Sequence, residues 1–421
     1  MPEDVVLIFA YHFPPENAIG ALRPYRLYKY LDRLGYECHV ITAANLGQLP
    51  HLNGGTIIDP FLTEPRRGFG WQLERAIRKL LLPGAVGIQW AVHAYRAAVG
   101  FIDQRPGARI TIFSTYPPVG VHLAAYWLAR RNGLPWIADF RDPLADNCVH
   151  DHVGKFPRSL YSRLEKLVVN SADTIIANTD AAQQKLKRAY PSRADRIQLI
   201  WNGFDPEDRR LPLPHGSKER KMVVHVGELY GGRSATPILQ SIRRLICAGK
   251  LSPAEFQIYL AGPSAPGSIP NSNFVAEAAA EGWLRITEEY IPREEANRII
   301  QTAHGLLLIQ PQSVLQVPGK LYEYVQLGRP ILALVAPDSP VERILSGSGV
   351  PYRCVYPSAT QDEFDGAVFR FFQFAEADRA PNAWFESQFN AMSHAQNVAE
   401  LIRGLHSAPV REPVLSHAAQ D

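Results

Sequence analysis

Short, wholly apolar runs alternate with amphipathic stretches in two successive blocks, and this alternation restricts the fold of the chain more than any other feature of it. Val5 to Ala10 has no polar residue, as expected of a strand covered on both faces in a parallel sheet. A loop from Tyr11 to Gly20 follows, and then a helical stripe of Leu27, Tyr30, Leu31 and Leu34. Gly35 fits the C-terminal cap, and Cys38 to Thr42 supplies the next strand. The alternation continues through strands at Arg109–Ser114, Trp136–Phe140, Thr174–Ala177 and Ile197–Ile200.

Between Arg209 and Lys221 the chain turns Pro-rich and basic and loses its periodicity, which marks a linker. A second alternation opens at Met222–Gly227 and runs through Phe256–Leu260, Leu306–Ile309, a helix from Pro318 and the strand Pro330–Leu334. The expected division is a first α/β domain over residues 1–210, a linker at 211–221 and a second α/β domain over 222–383. A terminal helix over 384–405 and a tail over 406–421 complete the chain. Ligands of such sheets lie beyond the carboxyl ends of the strands, so a cleft between the domains is the expected site.

Composition removes several classes of function. With 421 residues, 46% of them apolar and 20% charged, the chain can bury more than one core. A formal charge of +3 and the lack of zinc-finger spacing or an arginine-rich tail argue against nucleic acid as a partner. Cys38, Cys148, Cys247 and Cys354 are widely spaced and read as reduced thiols of a cytoplasmic protein. Acidic Glu3 and Asp4 ahead of a short apolar run do not read as a signal peptide, and no apolar stretch approaches the roughly 20 residues of a membrane span.

The segment with the most chemistry runs from Val317 to Pro330. Pro318 fits a first helical position, which would aim the amides of Gly319 and Lys320 at an anion before the helix. Lys320 adds a full charge there, and Glu323, three residues on, suits ribose hydroxyls. The plainer alternative is a Lys-Glu pair on a wet surface. Gly227, Gly231, Gly232 and Arg233 join strand to helix at the start of the second domain; Arg233 matches a diphosphate through its fork of donors, or is a solvated turn residue. Gly20 allows close backbone approach beside a helix start, though an ordinary turn needs such a glycine too. His12, His122 and His225 sit near inferred strand ends; lone histidines are more often packed or solvated, and His12 ranks first among them.

Four stretches carry a resemblance. They are Phe13-Pro14-Pro15 through Gly20 with Gly35, Pro135 to Pro143, the turn Ile200-Trp201-Asn202-Gly203-Phe204-Asp205, and Pro318 to Tyr324 through Gly328-Arg329-Pro330. With them the chain resembles glycosyltransferase family 4, of the GT-B fold: two Rossmann-like βαβ domains facing across a cleft. Within that family it is similar to bacterial enzymes of exopolysaccharide and capsule synthesis. The resemblance implies metal-independent transfer with retention of configuration from a nucleotide-sugar donor, UDP- or GDP-linked, with no cofactor. Arg233 and Lys320 would hold the donor diphosphate, Glu323 the ribose, and Gly20 would lie against the phosphates. The acceptor would be a glycan or a polyprenyl-diphosphate-linked sugar on the first domain. The terminal helix would cross back onto that domain, with Trp384, Phe385 and Phe389 as its clamp.

The sequence departs from the family pattern twice. Relatives carry a glutamate eight residues before the ribose glutamate, and here that position is Leu315; sugar recognition would then rest on Gln312, Ser313, Gln316 or nearby amides. Where relatives have a histidine-aspartate pair after the fourth strand, this chain has Arg141-Asp142. Arg141 could hold the sugar or acceptor, or form an ion pair with Asp142 or Asp139. Between Phe61 and Phe101, six basic residues against two acidic ones, interleaved with Trp71, Trp90 and Tyr95, suit anionic lipid at the inner face of the plasma membrane, or equally a packed helical pair. Two other functions fit the same plan: a sugar-nucleotide 2-epimerase-like isomerase, and a non-catalytic sugar-nucleotide-binding partner.

Overall fold

The computed structural model describes residues 4–16, 19–58, 87–145, 155–207, 220–373 and 378–407, with residues 212 and 214. Most of the expected linker and the basic residues from Arg66 to Lys79 lie outside these, as does the tail from residue 408. The chain divides into two compact units, Met1–Asp205 with Asn390–Asp421, and Pro206–Phe389.

The strands of the first unit are β1 (Asp4–Phe9), β2 (Glu37–Thr42), β3 (Gly54–Thr56), β4 (Arg109–Tyr116), β5 (Trp136–Phe140), β6 (Thr174–Ala177) and β7 (Ile197–Leu199). Its described helices are α1 (Ile19–Arg33), α2 (Ile88–Asp103), α3 (Gly120–Asn132), α4 (Lys155–Ser171) and α5 (Asp180–Ala189). All strand pairs are parallel, in the order β3-β2-β1-β4-β5-β6-β7. From Val5 to Phe9 β1 is apolar because both its faces are covered: Val5, Leu7 and Phe9 pack with Trp90 and Leu128, while Val6 and Ile8 pack with Leu31 and Val398.

The second unit holds β8 (Lys221–Val226), α6 (Thr236–Cys247), β9 (Phe256–Ala261), α7 (Ser272–Ala280), β10 (Leu284–Thr287), α8 (Arg293–Thr302) and β11 (Gly305–Gln310). It continues with α9 (Lys320–Leu327), β12 (Ile331–Val335), α10 (Pro340–Ser348), β13 (Tyr352–Val355), α11 (Gln361–Phe372) and α12 (Ala383–Gln388). Its sheet is parallel as well, in the order β10-β9-β8-β11-β12-β13. Two parallel sheets, each flanked by helices, make these the two Rossmann-like domains of a GT-B fold. In each sheet the connection reverses direction beside the first strand, between β1 and β4 and between β8 and β11, and the loops after those strands open the crevice where such sheets bind ligands.

One expectation changes at this level, and of the two readings of the segment 61–101 the packed one holds over its described end. The stretch read as one terminal helix is α12 and a separate α13 (Ala391–Ser407). Asn390 breaks it by bridging to Phe204, while the Ala391 N–H donates to the Phe204 carbonyl at 3.0 Å. α13 then buries Ala391, Ala395, Val398 and Ile402 in the first unit. Phe385 and Phe389 instead pack within the second unit, Phe389 lying 5.2 Å from the Tyr322 ring. The aromatic end of the segment 61–101 is also a core element. Trp90 is 0% exposed and stands edge-on to Tyr11, and α2 packs on α3. A Cβ on Gly120 would lie 1.9 Å from the Gly87 carbonyl oxygen, so only glycine permits the approach of backbone to α3 there.

Candidate functional site

In the second unit the crevice beside β8 is built by two loops, one from Gly227 to Ala235 and one from Pro311 to Gly319. Gly227 has φ +122°, and a Cβ there would meet the Lys320 Nζ at 2.9 Å, so both its backbone and its surroundings call for glycine. The two loops interlock where the Gln312 amide lies directly against Gly232. Ser313 Oγ accepts from the Gln316 N–H at 3.0 Å, which fixes the second loop below its exposed tip.

Lys320 opens α9, and its amine bends back over the end of β8. Nζ donates to the Val226 carbonyl at 3.0 Å and stands 3.5 Å from His225 Nε2. Side chains of a helix lean toward its N-terminus, which carries the amine to the sheet edge. The expected first helical position moves as well: the helix begins at Lys320 with Gly319 at the N-cap, because the Pro318 carbonyl accepts from the Leu321 N–H at 3.0 Å in a tight lead-in turn. Burial pushes the Lys320 amine down to about 7, nearby Arg233 adds to this, and Glu323 opposes it.

Arg233 closes the turn from Tyr230 and stacks over the Tyr230 ring at 4.6 Å. Glu323 is partly buried on α9. Lys320, Arg233, Gly227, Gly319, Gln316 and Glu323 thus come from the same two loops and one helix. Reading the sequence undervalued His225. It is 1% exposed, its Nδ1–H donates to the Leu307 carbonyl at 3.0 Å, and burial and the Lys320 charge hold its basicity well below the usual imidazole range. The available signal was its position two residues before Gly227, at the end of the strand.

The first unit uses its singled-out residues differently. Arg141 is 7% exposed and donates to the carbonyls of Gly20, Tyr116 (2.8 Å) and Pro117 (2.9 Å). Its own carbonyl accepts from the Asn178 amide. Gly20 is the second residue of α1, and a Cβ there would stand 3.1 Å from Arg141 Nη1, so this glycine makes room for the guanidinium. Asp139 is held by Arg23 through two hydrogen bonds, at 2.9 and 2.8 Å, and by Thr115 at 2.8 Å. Asp142 is partly buried and its charge acts on Arg141. His12 pairs with Glu16 at 2.9 Å. His122 is buried, shares a 2.8 Å hydrogen bond between its Nδ1 and Ser114 Oγ, and is pushed by burial down to about 3.

The asparagine-glycine turn is clasped by one face of α1. Arg23 donates to the Trp201 and Ile200 carbonyls, Arg26 to that of Gly203, and Lys29 and Tyr30 to Asp205 at 2.9 and 2.5 Å. Among the described residues no group of three His, Cys, Asp or Glu side chains is arranged to hold a metal ion, and no helix is long and apolar enough to cross a membrane.

Residues 21–203 match the family model of the glycosyl transferase 4-like domain. This match lies wholly within the first unit and takes in the clasped turn up to Gly203. No curated protein matches the chain. Solved structures share the fold over nearly its full length. Sucrose-phosphate synthase of Thermosynechococcus elongatus is 15% identical with a TM-score of 0.67, over 96% of this chain and 100% of its own. An α,α-trehalose-phosphate synthase (UDP-forming) of Burkholderia vietnamiensis is 13% identical with a TM-score of 0.63, over 97% and 100%. HepE of Anabaena, solved in complex with UDP-glucose, is 13% identical with a TM-score of 0.61, over 95% and 99%.

Proposed function

We propose that the chain is a glycosyltransferase of the family 4 kind that moves a sugar from a nucleotide-sugar donor, UDP- or GDP-linked, to a glycan or polyprenyl-diphosphate-linked acceptor in cell-surface polysaccharide synthesis. The observation that carries this reading is the convergence of Lys320, Arg233 and Glu323 on the carboxyl end of β8, at the reversal of the second sheet. The family match in the first unit supports it, as do the UDP-glucose held by HepE and the UDP-forming reaction named for the trehalose-phosphate synthase.

In this reading the diphosphate of the donor lies against the Lys320 ammonium and the Arg233 guanidinium, and Glu323 accepts from the ribose hydroxyls. As the bond between sugar and phosphate breaks, negative charge grows on the leaving diphosphate. Cations already in place stabilise that state more than the bound donor. Gln312, Ser313 and Gln316 face the sugar with neutral donors and acceptors in place of a carboxylate. Configuration is retained, as in the family, and the first unit takes the acceptor. Contact of Arg66, Arg67, Arg75, Arg78 and Lys79 with anionic lipid belongs to the same proposal, and flotation with anionic liposomes at low salt tests it: protein left unbound contradicts it.

A thermal-shift screen with UDP-glucose, GDP-mannose, ADP-glucose and dTDP-glucose tests the donor site. At least one is expected to raise the melting temperature, and Lys320→Ala is expected to lose that rise. No shift with any of them, or an unchanged shift in the variant, contradicts the reading.

A further inference from the structure

We propose that His225 is a positioning residue of the anion site: fixed by Leu307 as the Nδ1–H tautomer, it presents its bare Nε2 to Lys320, holds the amine over the end of β8, and sets how readily that amine takes up a proton when a diphosphate binds. This rests on the donor-site reading above and adds a part to it.

The tautomer follows from geometry. A carbonyl only accepts, so the 3.0 Å contact with Leu307 is made by a hydrogen on Nδ1, and in the neutral ring Nε2 is then the acceptor, with the Gly227 backbone also bonded to the ring. Nε2 lies 3.5 Å from Lys320 Nζ, whose shorter bond, 3.0 Å, goes to the carbonyl of the very next residue, Val226. The neighbouring Val226 N–H points to Tyr324 Oη at 3.4 Å, so α9 grips this strand end through Lys320 and Tyr324 together. Among the described residues, these groups face the amine. Arg233, on the loop after β8, repels it; Glu323, on its own helix, attracts it; His225 and the Val226 carbonyl, on β8, accept from it. His225 stays neutral throughout, because burial and the two neighbouring cations all oppose its charging.

The consequence is a site at rest near half charge in neutral solution, since the Lys320 amine sits at about 7. A bound diphosphate places negative charge beside Nζ and draws one proton from solvent onto it.

The test uses whichever sugar nucleotide raises the melting temperature in the screen, since a diphosphate diester does not itself titrate near neutral pH. Calorimetric titrations at pH 7.5 in phosphate and in Tris give the protons exchanged, and roughly three quarters of a proton taken up per ligand is expected. Affinity is expected to be flat below pH 7 and to weaken as pH rises through 8. His225→Phe removes the acceptor, so the midpoint of that pH profile moves about one unit lower and affinity at pH 7.5 falls about tenfold. His225→Gln keeps an acceptor and is expected to hold the wild-type midpoint. Binding without proton uptake in the wild type, or an unmoved midpoint in a folded His225→Phe, overturns this proposal and leaves the donor site standing. Failure of every sugar nucleotide to bind overturns both. If His225→Phe does not fold, His225→Leu, which also lacks an acceptor, takes its place with the same expected shift of the midpoint.

Discussion

Lys320 is an uncomfortable residue for the ligand-free protein. Its amine is buried beside Arg233 and titrates near 7, where an unfolded lysine titrates near 10.5. Between those values the unfolded chain binds the extra proton, so this group opposes folding fully below about pH 7 and ceases to do so as pH rises toward 10.5. Lys320→Met is therefore expected to stabilise the ligand-free protein at pH 6.5 by on the order of 2 kcal/mol and to have little effect at pH 10, as urea denaturation at the two values would show. The same substitution should abolish nucleotide-sugar binding. Equal effects at both pH values would mean that the amine is ordinary. Its place at a helix opening could be read from the run Pro-Gly-Lys before an amphipathic helix. The bend of the amine onto β8 could not, because it depends on where the helix starts and on the space that Gly227 leaves. His225 was hidden for a similar reason: a histidine ending a strand looks like packing until its neighbour across the sheet is known.

Among the elements, the loop after β4 and the start of α1 are joined by Arg141, which the sequence leaves open between the chemistry and an ion pair and which the structure bonds as a bracket. Its partners are three backbone carbonyls, and backbone partners leave no trace in a sequence. Arg141→Ala would remove this shared, buried donor from all three, at a cost of about 3–5 kcal/mol. A lowered urea midpoint checks this, with turnover expected to fall only in step with the folded fraction. A normal midpoint with turnover lost would return Arg141 to the reaction. The α2–α3 contact makes a sharper claim. Gly120→Ala would drive a methyl into the Gly87 carbonyl and force the helices apart, for a loss of about 3 kcal/mol, whereas Gly100→Ala, with nothing within 4 Å, should be nearly neutral or slightly stabilising. Melting temperatures of the two variants decide. The apolar strands were legible because parallel strands covered on both faces need no polar residue; the helices opened by the side-chain caps Thr179, Asn271, Ser339 and Thr360 were not read from the sequence.

At the scale of the molecule, the chain leaves the first unit at Asp205 and returns to it at Asn390, so the first unit is completed by the last described helix. Truncation before Asn390 would remove Ala395, Val398 and Ile402 from the core around Val6 and Leu31, and is expected to yield insoluble protein or one with a lower first melting transition. A truncated chain that melts like the full one would contradict this. That a helix runs over about residues 384–405 was legible in the sequence. Its break was not, since Phe389 and Asn390 are read as helical until their partners Tyr322 and Phe204 are in place. Both units serve one claim, that the reversal of the second sheet holds a nucleotide sugar by its diphosphate. A crystal structure with the sugar nucleotide that raises the melting temperature tests that claim most directly. The diphosphate is predicted within hydrogen-bonding distance of Lys320 Nζ and the Arg233 guanidinium, with Glu323 on the ribose; a nucleotide bound elsewhere, or with its phosphates away from both cations, would contradict it.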